Sequence, residues 1–183
     1  VRNTLIKFSI KKALLGVALT VFCMGITGVA FAYNLMGYVW SNPKGLGYYF
    51  ASGTPSDIQT AASEGANAWN NASSLIYIGA GGSKNVYIKT VSQSGSAFSG
   101  MTDLKLGWDS KISSAAITIN TAAISNYTSL EKKGTLAHEI GHAFGLGESG
   151  DLWALMYPYD SERIYRGTYV PRDDDKQGID AMY

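Results

Sequence analysis

The sequence is short of cysteine and histidine, and each shortage excludes something. Of 183 residues one is cysteine, Cys23, which lies inside an apolar N-terminal run. Once that run is removed, no disulfide, thiolate zinc ligand or thiol nucleophile is left, so packing and bound ions must stabilise the rest. There are two histidines, His138 and His142, too few for a second histidine-bound metal centre beside a first. Charged residues make up only 16%, and the basic ones form no patch interleaved with aromatics, which argues against a nucleic-acid partner. Residues 1–32 hold Arg2, Lys7, Lys11 and Lys12 and no acid, leaving 11 bases against 14 acids in the remainder.

The N-terminus has the pattern of an export signal. Basic residues to Lys12 precede an uncharged run from Ala13 that ends in Ala30-Phe31-Ala32, an A-x-A cleavage site. Residues 1–32 are therefore expected to be a signal peptide and residues 33–183 the mature domain, secreted and free of the membrane. The alternative is an uncleaved anchor, since the run is long enough to span a bilayer.

What the sequence does contain is His138-Glu139-Ile140-Gly141-His142. Residues four apart on a helix share one face, so both imidazoles can reach one ion while Glu139 sits at the site's edge. H-E-x-x-H is the arrangement of a zinc hydrolase, with two neutral nitrogen ligands and a carboxylate to handle protons. Gly145 can take the left-handed conformation that ends a helix and turns the chain back, which would bring Glu148 within reach of the ion. Two histidines and one glutamate are an accepted catalytic zinc set.

With Ala154-Leu155-Met156-Tyr157-Pro158 downstream and Asp174-Asp175 ahead of Gly178-Ile179 and Tyr183, the chain resembles the metzincin zinc peptidases, and among them the matrixins. The departure is Glu148, where the family has a third histidine. A carboxylate there leaves the site formally +1 rather than +2 with zinc bound, so a bound water should be a weaker acid and the pH optimum somewhat higher.

The resemblance implies a metzincin fold of the α/β (α+β) class: a twisted, mostly parallel sheet with an antiparallel edge strand, three helices and a Met-turn. It implies a monomeric zinc endopeptidase acting on protein or peptide substrates. The zinc is held by His138, His142 and Glu148, Glu139 is the general base, Met156 forms a soft base beneath the ligands, and Pro158 and Tyr159 wall the main specificity pocket. Calcium is a further ion of such domains. The resemblance also implies that an N-terminal Tyr33, freed by cleavage, pairs its ammonium with Asp174; the plainer reading makes Asp173–Asp175 a helix start favoured by the dipole.

Along the chain, Gly47–Ala51, Leu75–Ile78, Val86–Thr90 and Ala115–Asn120 read as strands, and Ala97–Thr102 is the candidate edge strand. Thr54-Pro55 opens a helix through Trp69, with Thr54 as cap. Thr128-Ser129-Leu130-Glu131 fits a capping box for the helix carrying the histidines, and Gln177–Tyr183 closes the domain as a helix. Gly134 and Gly141 inside that helix point to close approach by the sheet or the Met-turn backbone. Two other readings remain open. Glu162, twenty residues after His142, has the spacing of a ligand from a second helix in gluzincin peptidases. Alternatively, the chain is a catalytically silent zinc module that binds peptides or surfaces.

Overall fold

Alternation with period two builds the sheet. In Val86–Val91 (β3) Val86 and Ile88 face inward, and in Ile112–Asn120 (β5) Ala115, Ile117 and Ile119 do the same; all are buried. The computed structural model describes residues 32–183, which form one compact unit, and the expected signal segment lies outside the described residues apart from Ala32. Leu46–Phe50 (β1), Ile78–Ala80 (β2), β3, Gly100–Leu106 (β4) and β5 make a five-stranded sheet in the order β2-β1-β3-β5-β4. All neighbours are parallel except β4, which runs antiparallel along β5 as the edge.

Two long helices cross over the sheet. Ser56–Ala72 (α1) presents Ile58, Ala61, Ala62, Ala66 and Trp69 to Leu136, Ala137, Ile140 and Phe144 of Ser129–Phe144 (α2). At Gly65 a Cβ would stand 2.9 Å from the Ala137 nitrogen, so the helices cross at backbone contact. Trp69 is fully buried and its indole N–H donates to the Ala137 carbonyl at 2.7 Å. Truncating such a side chain costs about 3–5 kcal/mol.

Short Asp160–Arg166 (α3) and Asp173–Met182 (α4) bring the helices among the described residues to four, one more than expected. The extra helix, α3, spans seven residues and is supported by Asp160–Arg163 and Glu162–Arg166 ion pairs, with Gly167 left-handed at its end.

Other expectations shift. The strand expected at Leu75–Ile78 begins only at Ile78, because Leu75 lies in a turn whose amide bonds to the Ser73 hydroxyl. The edge strand starts at Gly100 rather than Ala97, and α4 begins four residues before Gln177. Thr54 does not cap α1, because its hydroxyl donates to the Ala51 carbonyl instead. The capping box of α2 forms: the Thr128 hydroxyl accepts from Glu131 N–H, and the Glu131 carboxylate accepts from Thr128 N–H.

Candidate metal centre

The site grows out of the end of α2. An α-helix leaves its last four carbonyls without helical partners, and here each finds one. Gly145 (φ 106) turns left-handed; its N–H donates to His142 O, and Leu146 N–H donates to Gly141 O, the two bonds of a Schellman stop. Trp40 Nε1–H donates to Ala143 O at 2.7 Å and the Tyr183 hydroxyl to Phe144 O at 2.7 Å. Burial of Tyr183 pushes its phenol up to about 12, so it keeps its proton in this role. The helix thus stops abruptly and the chain doubles back towards His142.

The reversal brings three donors together. His138 Nε2 and His142 Nε2 are 3.1 Å apart, and Glu148 oxygens lie 3.7 Å from the first and 3.4 Å from the second. For tetrahedral zinc with bonds near 2.1 Å, donors should be separated by about 3.4 Å, so the set has the dimensions of one ion. Among the described residues this is the one such convergence of His, Cys, Asp or Glu side chains. Glu162 is not part of it; its carboxylate faces Arg166 at 3.4 Å.

The ring orientations agree with this. His138 Nδ1 lies 2.9 Å from the Leu155 carbonyl and His142 Nδ1 lies 2.8 Å from the Leu146 carbonyl. A carbonyl only accepts, so each Nδ1 carries the proton and each Nε2 turns a lone pair to the same point. Two lone pairs and a carboxylate crowded together call for positive charge. Burial alone would raise Glu148, but its contacts with both imidazoles hold it down at about 2. Burial would lower His142, yet the Glu148 and Glu139 carboxylates and the Leu146 carbonyl bring it above its ordinary value. The donor set fits zinc.

Around these donors the chain is tied down from a distance. The buried Asp175 carboxylate accepts N–H bonds from Leu155 (2.8 Å), Met156 (2.9 Å) and Arg172 (2.7 Å). Asp174 accepts the Ser149 hydroxyl at 2.6 Å and the backbone N–H groups of Ala32 and Tyr33 at 3.1 and 3.0 Å. Residues 32–36 lie along the reversed segment, with Gly147 N–H donating to Asn34 O and Met36 N–H to Gly145 O. Met156 is buried against Gly141, between the two histidines on the helix. The close approach that requires glycine at 141 comes from the Met156 and Trp69 side chains, and at 134 from the Tyr169 ring, rather than from sheet or backbone.

A cleft of about 690 Å³ opens beside the donors, lined on one side by Gly100–Thr102 of β4 and on the other by Pro158 and Tyr159. Glu139 is buried at its floor. Its carboxylate accepts the Thr102 hydroxyl at 2.7 Å. Tyr127, Asp160 and Arg163 extend the lining. The Tyr127 hydroxyl lies 3.3 Å from Asp160 Oδ2, and Arg163 binds both Asp160 and the Tyr157 carbonyl. Burial, with the Asp160 charge adding to it, raises the Tyr127 phenol. Sequence reasoning did not single out these three residues or Thr102, which ended the expected edge strand. Only folding brings them to the cleft.

The matrixin family model matches residues 113–183. Over 47 residues, 26% of this chain, the sequence is 49% identical to interstitial collagenase of Sus scrofa and 51% identical to matrix metalloproteinase-20 of Homo sapiens. It is 47% identical over the same length to neutrophil collagenase of Homo sapiens. These matches span about a tenth of the length of the relatives, 9%, 10% and 10% in turn. The chain carries a matrixin-like domain of metallopeptidase type on a mixed α/β scaffold.

Proposed function

We propose that this matrixin-like domain is a secreted zinc-dependent endopeptidase, with zinc held by His138, His142 and Glu148. The observation that carries the reading is the convergence of those three side chains at ion-sized separations, with the Glu139 carboxylate on the floor of the adjoining cleft. Bound there, zinc would polarise a scissile carbonyl and acidify a water.

The chain's own groups supply the rest. Nδ1–H bonds to Leu155 and Leu146 carbonyls hold both rings in the ligating tautomer. Glu139 accepts a proton from the attacking water and returns it to the leaving amine nitrogen, so no covalent intermediate with the protein is needed. The free edge of β4 offers backbone N–H and C=O groups to an extended substrate. Pro158 and Tyr159 bound the pocket for the side chain after the cut. Met156 packs beneath the ligating helix as a polarizable support.

Secretion rests on the signal-like residues 1–32, and no helix of the described residues is long and apolar enough to cross a membrane. Cleavage after Ala32 would leave the Tyr33 nitrogen 3.0 Å from Asp174 Oδ1, where its charge would strengthen an existing contact. Forms beginning at Tyr33 and at Asn34 should then differ in activity.

The deciding experiment is hydrolysis of casein or a quenched peptide by zinc-loaded protein. Activity should vanish with a chelator and return with zinc, and Glu139→Ala should abolish turnover with zinc still bound. Undiminished turnover by Glu139→Ala, or no turnover by the zinc-loaded protein, overturns the reading; the latter would favour a silent binding module.

A further inference from the structure

Residues 100 and 102 of β4 share the strand face turned towards α2, as period two requires, and both meet Glu139. A Cβ at position 100 would stand 2.5 Å from Glu139 Oε1 and 2.6 Å from its Cγ, so only glycine leaves room for the carboxylate where it lies. Thr102 Oγ1 lies 2.7 Å from Glu139 Oε2 and 3.0 Å from the Glu139 backbone carbonyl. The hydroxyl has one proton to give, and the charged carboxylate is the stronger acceptor. Among the described residues no other group hydrogen-bonds to that carboxylate.

We infer that Thr102 is a positioning residue for Glu139: its hydroxyl fixes Oε2 against the edge strand and leaves Oε1, in the space made by Gly100, to exchange protons with the substrate water. Glutamate has three rotatable side-chain bonds, and among the described residues no other hydrogen bond selects one conformation of its head group. One hydrogen bond from a β-branched residue on a paired strand does so, because Thr102 has a restricted χ1 and its backbone is held in register opposite Ile117. The same strand that would pair with a substrate backbone therefore also sets the base. Substrate position and base position are referred to one rigid element.

The kinetic consequence rests on the peptidase reading, whereas the conformational one does not. Thr102→Val keeps shape and branching and removes only the donor; Thr102→Ser restores the donor. In zinc-loaded protein, Thr102→Val should lower kcat and kcat/KM together by roughly tenfold to a hundredfold, with KM and zinc content unchanged, as expected when a base is displaced by about an ångström. Thr102→Ser should recover most of the loss. A crystal structure of Thr102→Val should show the Glu139 head group shifted or split between rotamers, and that of Thr102→Ser should show it in place. Wild-type kcat in Thr102→Val, failure of Thr102→Ser to rescue, or an unmoved Glu139 in the Thr102→Val crystal would each overturn the assignment. If wild-type protein cleaves no peptide, the peptidase reading falls by itself, and the position of Glu139 in the two crystal structures decides this inference.

Discussion

Removing the metal should cost this domain measurable stability, and the size of the loss follows from the geometry. The donors already stand at 3.1, 3.4 and 3.7 Å from one another, close to the separation of about 3.4 Å that tetrahedral zinc needs, so binding requires little rearrangement of the folded chain. The unfolded chain retains the four-residue spacing of the histidines but loses the carbonyl partners that set their tautomers and the turn that delivers Glu148. Binding is therefore selective for the folded state. At free zinc 100-fold above its dissociation constant the stabilisation is about 2.7 kcal/mol. For a domain of this length each kcal/mol moves Tm by roughly 2–4 °C, so chelation should lower Tm by about 5–11 °C. Differential scanning fluorimetry in chelator, then with zinc restored, measures it. Glu148→Ala should shrink the zinc-dependent shift towards zero, whereas Glu139→Gln should leave it intact because Glu139 is not a ligand. A full wild-type shift in Glu148→Ala would refute the assignment of position 148 and, with it, the three-donor site.

Three further outcomes can be checked on the same protein. Gly141→Ala places a methyl 2.8 Å from Trp69 Cζ2 and against the Met156 sulfur. Overpacking by about 1–3 kcal/mol should outweigh the helix-propensity gain of about 1 kcal/mol, and the urea midpoint should fall. Asp174→Asn weakens the ties to Ser149, the neighbour of Glu148, and to residues 32–33, so zinc affinity should drop in competition with a chromophoric chelator. Tyr183 has its folded pKa raised from 10.0 to about 12 by burial, so its contribution is complete below pH 10 and is lost as pH rises towards about 12. Urea midpoints should thus fall more steeply above pH 10 in wild type than in Tyr183→Phe.

The part of the chain that carries the candidate donors was readable before folding because its signals are local. His138 and His142 are one helical turn apart, Gly145 ends the helix in the conformation glycine permits, and the Thr128–Glu131 box marks its start. The mostly parallel sheet with an antiparallel edge was expected through the family resemblance rather than from any single strand. Local signals misled where one residue had two hydrogen-bonding choices. Thr54 looks like a cap in sequence, yet its hydroxyl turns back to Ala51. Pro158, Tyr159 and the edge strand were expected at the cleft through the resemblance, but the contacts that complete its lining were not readable. Thr102, Tyr127 and Arg163 lie 37 positions before, 12 before and 24 after Glu139, and no periodicity links residues brought together by a sheet edge and a crossing helix.

The acidic start of α4 illustrates the same limit and also explains how the three candidate donors are held. Read along the chain, Asp173-Asp174-Asp175 is a run of carboxylates favoured by a helix N-terminus. In the fold the run divides its work. Asp173 stays at the surface beside Lys176, Asp174 grips Ser149 next to the proposed ligand Glu148, and Asp175 is buried against the amides of Leu155 and Met156. Leu155 in turn presents its carbonyl to His138, and the Met156 carbonyl accepts Ser149 N–H. An isolated α2 could align two imidazoles but could fix neither ring's proton nor the third donor. Both are determined by residues 145–175, and those are held by a helix that begins only at Asp173. The ion site and the closing of the C-terminal part of the fold should therefore form and fail together. On that basis, chelation and disruption of the Asp174 contacts, though chemically unrelated, are expected to weaken the same cooperative unit.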